Sequence, residues 1–322
     1  MANSDVYFTS PHKRRMYIAR KVGSTTLTYA FLGLLGLFMI VPFVFMIITS
    51  FRNADAYDLD VAHRVFNLIP SWWNSEVNAS NYTLDNYATV FNYRNPVTGE
   101  AINFAFFYIN TVYVSVVSTI FTLITSVLAA FAFARCNFKG KNLLFTILLA
   151  TMMIPGEMMV ITNYQTVKLL GWDNTFAALI FVHGVSVFYI FYLRQTFQQI
   201  PNELFLAAKV DGYGHFRYLL RVMIPIAMPT IVTITILSLM GSWNAYIWPN
   251  LVASGKWRLN DQWSMKLVSN GLMSLFTNSD TGLSRDTVRI AGSMVCTLPL
   301  FVFFLIFRKY IMRGVSRSGI KG

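Results

Sequence analysis

Six long apolar runs constrain this chain more than any other feature of its sequence. They lie near residues 26–50, 106–133, 143–165, 175–194, 224–248 and 290–307. A helix rises 1.5 Å per residue, so roughly 20 apolar residues cross the ~30 Å hydrocarbon layer of a bilayer. The stretch 301–307 is apolar on every face, whereas a strand of a membrane barrel alternates. The sequence therefore predicts an all-α, polytopic membrane protein with six transmembrane helices.

The distribution of Lys and Arg predicts the orientation of these spans. Seventeen of the 26 fall in the tail 1–25, the loop 135–141, the segment 194–221 and the tail 308–322. Basic loops remain cytoplasmic, so we expect a cell-membrane protein with both termini inside and with outward loops at 51–105 and 249–289. Attraction to anionic lipid of the bilayer explains the net charge of +12, and no nucleic acid partner is needed.

The sequence carries no motif for catalysis by this chain alone. Neither a Gly-x-x-x-x-Gly-Lys phosphate loop nor a Gly-x-Ser-x-Gly elbow occurs. Cys136 and Cys296 have no metal-binding spacing, and the four histidines are scattered. We therefore expect reduced thiols, no metal site and no directly bound cofactor, which leaves any energy source to a partner.

The polar segment 198–223, here named the knob, separates the fourth and fifth runs. Pro201 ends the fourth run, and Asn202 is predicted to cap a short helix with Glu203 in its first turn. Gly212 and Gly214 are predicted to end that helix, because glycine readily adopts the left-handed conformation found after helices.

The knob helix and the residues after it suggest a surface for another protein. Ala207, Ala208 and Asp211 are predicted to share one stripe. The two alanines would let a partner approach the backbone closely, and Asp211 can accept hydrogen bonds. Residues 215–223 are predicted to form a second short helix that Pro225 ends.

Polar and aromatic residues within the spans are candidates for a substrate path. Glu157 and His183 are ionisable at membrane depth, where each either faces a path or satisfies nearby backbone. Trp243, Asn244 and Tyr246 combine aromatic rings with an amide, which suits the apolar faces and hydroxyls of sugars. The alternative for these aromatic residues, and for the adjoining Trp248, is a belt at the membrane interface.

The outward loops also carry local predictions. Trp72 and Trp73 are expected at the headgroup level of the membrane. Residues 265–276 are predicted to form a short amphipathic helix with Leu267, Met273 and Phe276 facing inward.

Three motifs in order resemble those of ABC importer permeases. Residues 201–212, PNELFLAAKVDG, resemble the EAA motif, E-A-A-x-x-x-G with an Asp before the Gly, although Leu206 occupies the position of its Glu. Glu203 lies one turn earlier on a nearby face. Residues 243–249, WNAYIWP, and the ending 313–322, RGVSRSGIKG, look like the maltose-type carbohydrate branch. The resemblance covers the chain from the first run to the C-terminus and implies a type I ABC importer permease fold.

The resemblance further implies a multi-subunit importer for a carbohydrate, with an oligosaccharide expected. The knob would fit a cleft in a separate ATPase, present in two copies that use ATP and Mg, and Gly319 and Lys321 of the tail would contact these ATPases. The loop 249–289 would contact an extracytoplasmic solute-binding protein, and a second, homologous permease would complete a heterodimer. The expected ATPase-coupling residues are Glu203, Ala207, Ala208, Asp211, Gly212 and Gly214.

Other functions remain open from the sequence. Glycerol phosphate or another polar solute could replace the sugar, but a phosphate favours basic residues in the path, and the spans contain almost none. A secondary transporter would be expected to have inverted repeats and several charges within the membrane. An assembly factor or receptor would not need the knob.

Overall fold

A computed structural model describes residues 11–53, 57, 82–92, 104–257, 259–276 and 286–316. Its helices are α1 (Pro11–Ser50), α2 (Asp85–Phe91), α3 (Phe104–Arg135), α4 (Lys141–Thr151), α5 (Gly156–Leu169), α6 (Phe176–Ile180), α7 (Val187–Gln198), α8 (Asn202–Val210), α9 (His215–Tyr218), α10 (Ile224–Trp243), α11 (Ile247–Val252), α12 (Val268–Phe276) and α13 (Asp286–Ser316). Strands β1 (Lys256–Trp257) and β2 (Asn260–Ser264) form an antiparallel pair. The predictions for Trp72, Trp73, Gly319 and Lys321 lie outside the described residues.

The length and composition of the helices fit a polytopic membrane protein. Across the described ranges, four helical stretches are long and apolar enough to cross a membrane: 15–50, 104–135, 215–243 and 286–309. The pair α4 and α5 is bent by 95° and counts as a fifth crossing if it is one broken span. The predicted run 175–194 does not form one long helix, because α6 ends at Ile180 and α7 begins at Val187.

Three of the predicted spans are interrupted: 143–165, 175–194 and 224–248. The prediction of a single continuous helix is wrong for each of them. The first breaks before Pro155, whose ring disfavours helical backbone at the preceding residue. The second breaks around Gly184, and α7 restarts where the Ser186 hydroxyl accepts a hydrogen bond from the Tyr189 backbone N–H at 3.4 Å. The third ends at Trp243, and α11 begins at Ile247.

The helix after the knob corner is longer than predicted, whereas the three spans described above are interrupted. A π-helical turn, Leu219–Met223, joins α9 directly to α10, so residues 215–243 form one continuous helical stretch. Pro225 does not end the helix: it lies at the start of α10, directly after the π-helical turn. The knob is therefore continuous with a long apolar helix.

The chain divides into two compact units, residues 1–88 with 285–294 and residues 89–284 with 295–322. In the first unit, buried polar groups join the end of α1 to α2. The Asn86 side chain donates to the backbone oxygens of Ser50 at 2.9 Å and Arg52 at 2.7 Å, and it accepts from the Thr287 hydroxyl at 3.4 Å. The Tyr87 hydroxyl donates to the Ser50 hydroxyl at 2.7 Å.

The second unit is built around α3, which packs against α6, α7, α10 and α12. Two apolar clusters lie at different levels of α3. The knob-end cluster contains Val127, Ala130, Phe131, Leu193, Phe197, Ile200, Ala208, Tyr218, Leu219, Met223, Ala227 and Ile234. The loop-end cluster contains Val114, Val167, Ala178, Leu179, Trp248, Val252, Ala253, Met265 and Leu267.

Side-chain amides fix the segment 249–276 to the second unit. The fully buried Asn110 donates from α3 to the backbone oxygens of Ser264 at 2.7 Å and Lys266 at 3.0 Å, and it accepts from the Trp263 indole at 2.8 Å. Asn270 donates to two backbone oxygens at the end of α11, both at 3.1 Å. These bonds satisfy backbone groups that would otherwise be buried without partners.

The short helix predicted over 265–276 forms as α12, which begins at Val268. Leu267 lies just before it and is buried, as predicted. The side chains of Met273 and Phe276 are outside what the structure describes.

Candidate functional site

A partly open cavity of about 260 Å³ lies in the second unit, at the level of α3 between the two clusters. Its walls come from α3, from the break between α6 and α7, and from the end of α10. Among the described residues that line it, His183 is the only one with a basic side chain. The lining residues are Val114, Ser118, Thr122, Leu179, His183, Ser186, Tyr189, Ser238, Gly241, Ser242, Ala245, Trp248, Pro249 and Leu267.

Hydroxyl groups on α3 and α10 meet along the cavity. The Ser118 and Ser242 hydroxyl oxygens are 3.3 Å apart, and the Thr119 hydroxyl donates to that of Ser238 at 3.1 Å. Ser118 and Thr122, like Ser238 and Ser242, are four residues apart, which places each pair on one helix face. The wall therefore offers several neutral donors and acceptors in an otherwise apolar bundle.

An aromatic pair forms another part of the wall. The ring centroids of His183 and Trp248 are 5.1 Å apart, with the rings edge to face. The Trp248 indole N–H donates to the Ala178 backbone oxygen at 3.0 Å, which fixes the ring orientation. The cavity thus combines hydroxyls with an oriented aromatic surface.

Of the residues predicted for the substrate path, His183 lines this cavity and four others do not. Glu157 is exposed in the first turn of α5. The Trp243 indole donates to the Cys296 backbone oxygen at 3.4 Å, while Asn244 and Tyr246 are exposed. The prediction assumed a continuous helix through this region, and the break at residues 244–246 changes the direction of these side chains.

Sequence reasoning missed the hydroxyl-bearing residues of the wall and left Trp248 open between a sugar-binding surface and a membrane belt. One signal for them was present in the sequence. Ser and Thr recur at four-residue spacing inside apolar runs, as in Ser118 with Thr122 and Ser238 with Ser242. Such spacing indicates a polar stripe on a buried helix face, which has to meet a partner helix or a cavity.

The knob has the glycine corner that the sequence predicts. Gly212 has a φ of +76°, in the left-handed region. Its N–H donates to the Lys209 oxygen at 3.0 Å, and the Tyr213 N–H donates to the Ala208 oxygen at 2.8 Å. These two bonds form a Schellman motif, which satisfies the last carbonyls of α8. Gly214 has ordinary extended dihedrals and precedes α9.

The knob helix presents a different surface from the predicted stripe. Ala207 and Asp211 are exposed, as are Glu203, Gly212 and Gly214, whereas Ala208 is buried in the knob-end cluster. Phe205 in α8 and Tyr213 just after it both pack against this cluster. The face of α8 that contains Ala208 is therefore turned toward the cluster and away from solvent. Leu206, at the position of the motif's Glu, is 54% exposed.

The start of α8 also differs from the prediction. The helix begins at Asn202 after Pro201, and no side chain caps it. The Asn202 side-chain oxygen instead accepts a hydrogen bond from the Arg135 guanidinium, Nη1, at 3.3 Å. Asn202 therefore connects the knob to the end of α3.

Comparison with known proteins gives a family match over much of the chain. The family described as "Binding-protein-dependent transport system inner membrane component" matches residues 122–317. This range includes the knob and most of the described residues that line the cavity.

Curated relatives match over most of their length. The arabinooligosaccharides transport system permease protein AraQ of Halalkalibacterium halodurans is 28% identical over 92% of this chain and 95% of its own. The protein of the same name from Bacillus subtilis is 30% identical over 77% of this chain and 83% of its own. The inner membrane ABC transporter permease protein YcjP of Escherichia coli is 27% identical over 89% of this chain.

A solved structure has the same fold. It is described as a bacterial ABC transporter involved in the import of the acidic polysaccharide alginate, and one of its chains matches with a TM-score of 0.69. The match covers 95% of this chain and 99% of that chain at 22% identity. The predicted ABC importer permease fold is confirmed.

Proposed function

Because the chain belongs to the family of binding-protein-dependent transport system inner membrane components, we propose that it is the permease subunit of an ATP-driven importer for a neutral carbohydrate, with an oligosaccharide as substrate. The chain is a multi-pass membrane protein. Relatives whose names refer to arabinooligosaccharides support a carbohydrate.

The observation that carries this proposal is the chemistry of the cavity. A sugar ring has apolar faces bordered by hydroxyls, so its binding site combines aromatic surface with neutral hydrogen-bonding groups. Ser118, Ser242 and Thr122 supply hydroxyls, and His183 with Trp248 supplies aromatic surface. The described lining contains no Lys or Arg to balance an anionic substrate, which favours a neutral sugar over glycerol phosphate.

The cavity size favours passage of one ring at a time. Its volume of about 260 Å³ is below the ~300–1,000 Å³ typical of small-molecule sites. An oligosaccharide would therefore have only part of its length in the cavity while the rest extends along the path. The cavity is partly open, and we propose that a second, homologous permease covers the open side in a heterodimer.

The remaining subunits follow from the family and the knob. An ATPase and a solute-binding protein are partners of such a permease. We propose that one of two ATPase copies binds the knob through Glu203, Ala207, Asp211, Gly212 and Gly214, and that the two copies use ATP and Mg. The tail with Gly319 and Lys321 would reach these ATPases, both termini would be cytoplasmic, and the loop 249–289 would contact the binding protein.

The knob is connected through the backbone to one wall of the cavity, which supports mechanical coupling between the two. The continuous helical stretch 215–243 runs from the corner at Gly212 to the wall at Ser238 and Ser242. A movement of the ATPase pair that displaced the knob would therefore displace this wall. Rigid-body movements of packed helices are a common way to alternate access to a site.

The test is substrate uptake in a strain from which this gene is deleted, complemented with the wild-type gene. We expect complementation to restore uptake of a labelled neutral oligosaccharide, with arabinotriose and maltotriose as probes, and an ATPase to co-purify with the permease. Digalacturonate and glycerol 3-phosphate are the anionic probes. Uptake restricted to the anionic probes, or uptake without any co-purifying ATPase, would contradict the proposal.

A further inference from the structure

The last residue of α3, Arg135, bonds to the chain on both sides of Pro201. Its Nη2 donates to the backbone oxygen of Phe197 at 3.0 Å and to that of Ile200. Its Nη1 donates to the side-chain oxygen of Asn202 at 3.3 Å. One guanidinium therefore joins α3 to the end of α7 and to the first residue of α8.

The partners of Arg135 make this contact sensitive to geometry. Among the residues that the structure describes, no carboxylate forms an ion pair with Arg135. The acceptors are neutral oxygens in and after the last turn of α7, where the helix dipole favours a cation. A planar guanidinium can reach several such oxygens at once, whereas a lysine ammonium is a point charge on a flexible stem.

A second arginine strengthens the same junction from the opposite side. Arg194 of α7 donates from Nε to the backbone oxygen of Phe133 at 3.3 Å, near the end of α3. Its guanidinium lies 3.9 Å from the centroid of the Phe145 ring. Arg194 therefore bonds α7 to α3, and within the described part of the chain it makes no hydrogen bond to α8, which distinguishes it from Arg135.

The connectivity of the chain shows why α3 needs such a contact. The helix α7 precedes the knob directly, and α10 follows it in one continuous helical stretch. Both are thus joined to the knob through the backbone. In contrast, α3 walls the cavity with Ser118 and Thr122 but has no direct backbone connection to the knob. It meets the knob through side chains, namely the bonds of Arg135 and the packing of Ala130 and Phe131 in the knob-end cluster that also contains Ala208.

We propose that Arg135 is a positioning residue that transmits movement of the knob to the α3 wall of the cavity. This inference rests on the proposed function, because it assumes that an ATPase moves the knob. Thirteen residues separate Thr122 from Arg135, which is roughly 20 Å of rigid helix. Displacement of α8 would pull Arg135 through Asn202 and would move Ser118 and Thr122 with it.

The experiment compares the two walls in one importer. Cys136 and Cys296 are first replaced by serine, and a single reporter, Ser118→Cys on α3 or Ser242→Cys on α10, is introduced in separate variants. The complex is purified with its ATPase and placed in liposomes. The rate of maleimide labelling at each reporter is then measured without nucleotide and with ATP plus vanadate.

With Arg135 intact, we expect ATP plus vanadate to change the labelling rate at both reporters. Arg135→Gln should reduce the change at Ser118→Cys and retain it at Ser242→Cys, because α10 is connected through the backbone whereas α3 keeps only its packing in the knob-end cluster and the bond from Arg194. Arg135→Lys should give a partial change at Ser118→Cys. Tyr218→Phe is the matched control. Tyr218 is a buried electrostatic neighbour of Arg135, but it takes part in none of the three hydrogen bonds that Arg135 donates.

Two results overturn the inference and one overturns its premise. An unchanged ATP response at Ser118→Cys in Arg135→Gln would show that other contacts move α3. Loss of the response at both reporters, with the ATPase still bound, would show a general structural role. Absence of a co-purifying ATPase and of any ATP response with Arg135 intact would instead contradict the proposed function itself.

Discussion

His183 and Trp248 meet edge to face on the cavity wall, with 5.1 Å between their ring centroids. His183 lies in the break between α6 and α7, and Trp248 lies in α11, just after the break that ends α10. Each break exposes an aromatic ring to the cavity that a continuous helix would direct elsewhere. The interruptions of the apolar runs are therefore what create this part of the site.

Truncation of Trp248 should separate the role of its ring from that of its N–H. Trp248→Phe removes the hydrogen bond to the Ala178 oxygen and should cost about 1 kcal/mol of unfolding free energy. Trp248→Ala also removes a buried ring and should cost about 3–5 kcal/mol. Thermal unfolding of the purified complex measures both. Equal losses would contradict a main contribution from ring packing.

Filling the cavity should stop transport without disturbing assembly. Gly241 lines the cavity, and an added Cβ there meets nothing within 4 Å. Gly241→Leu is therefore expected to abolish uptake of the neutral oligosaccharide while the ATPase still co-purifies. The matched control is Gly156→Leu, where a Cβ also meets nothing within 4 Å but which is not among the lining residues. Wild-type uptake in Gly241→Leu would exclude this cavity from the path.

The two knob glycines should respond differently to alanine. Gly212 has a φ of +76°, so Gly212→Ala should cost about 1–2 kcal/mol and loosen the corner. Gly214 has a φ of −70°, so Gly214→Ala should leave the backbone unchanged. Co-purification of the ATPase is expected to fall for the first variant and not for the second. Equal retention of the ATPase in both would show that the corner is not needed for docking.

The break between α6 and α7 should depend on close contact between Gly184 and Phe121. A Cβ added at Gly184 would overlap the Phe121 ring, so Gly184→Ala should destabilise the complex by about 1–3 kcal/mol. Phe121→Leu makes room and should recover part of that loss in the double variant. A double-mutant cycle of unfolding midpoints measures the coupling. Strictly additive losses would mean that the two residues do not constrain each other.

The sequence predicted the features that depend on local chemistry. The glycine corner at Gly212 and the buried Leu267 each follow from residue types in their immediate context. Apolar runs likewise predicted α1, α3 and α13, because each contains a stretch that is long and apolar enough to cross a membrane.

The features that the sequence did not predict depend on contacts between segments that are distant in sequence. Hydropathy averaged over a run does not detect the break at Gly184, which needs the Phe121 ring beside it. Burial of Ala208 needs the knob-end cluster, to which α3, α7 and α10 all contribute. The Ser118 and Ser242 pair becomes visible as part of a site only when α3 and α10 are side by side.

The amide contacts of Asn110 have a consequence for how such importers diversify. Asn110 holds the segment after β2 through the backbone oxygens of Ser264 and Lys266, and Asn270 holds the end of α11 in the same way. A carbonyl oxygen is present whatever residue carries it. Evolution can therefore replace the side chains at these positions, and so alter the surface of the segment 249–276, while these anchoring bonds keep their acceptors.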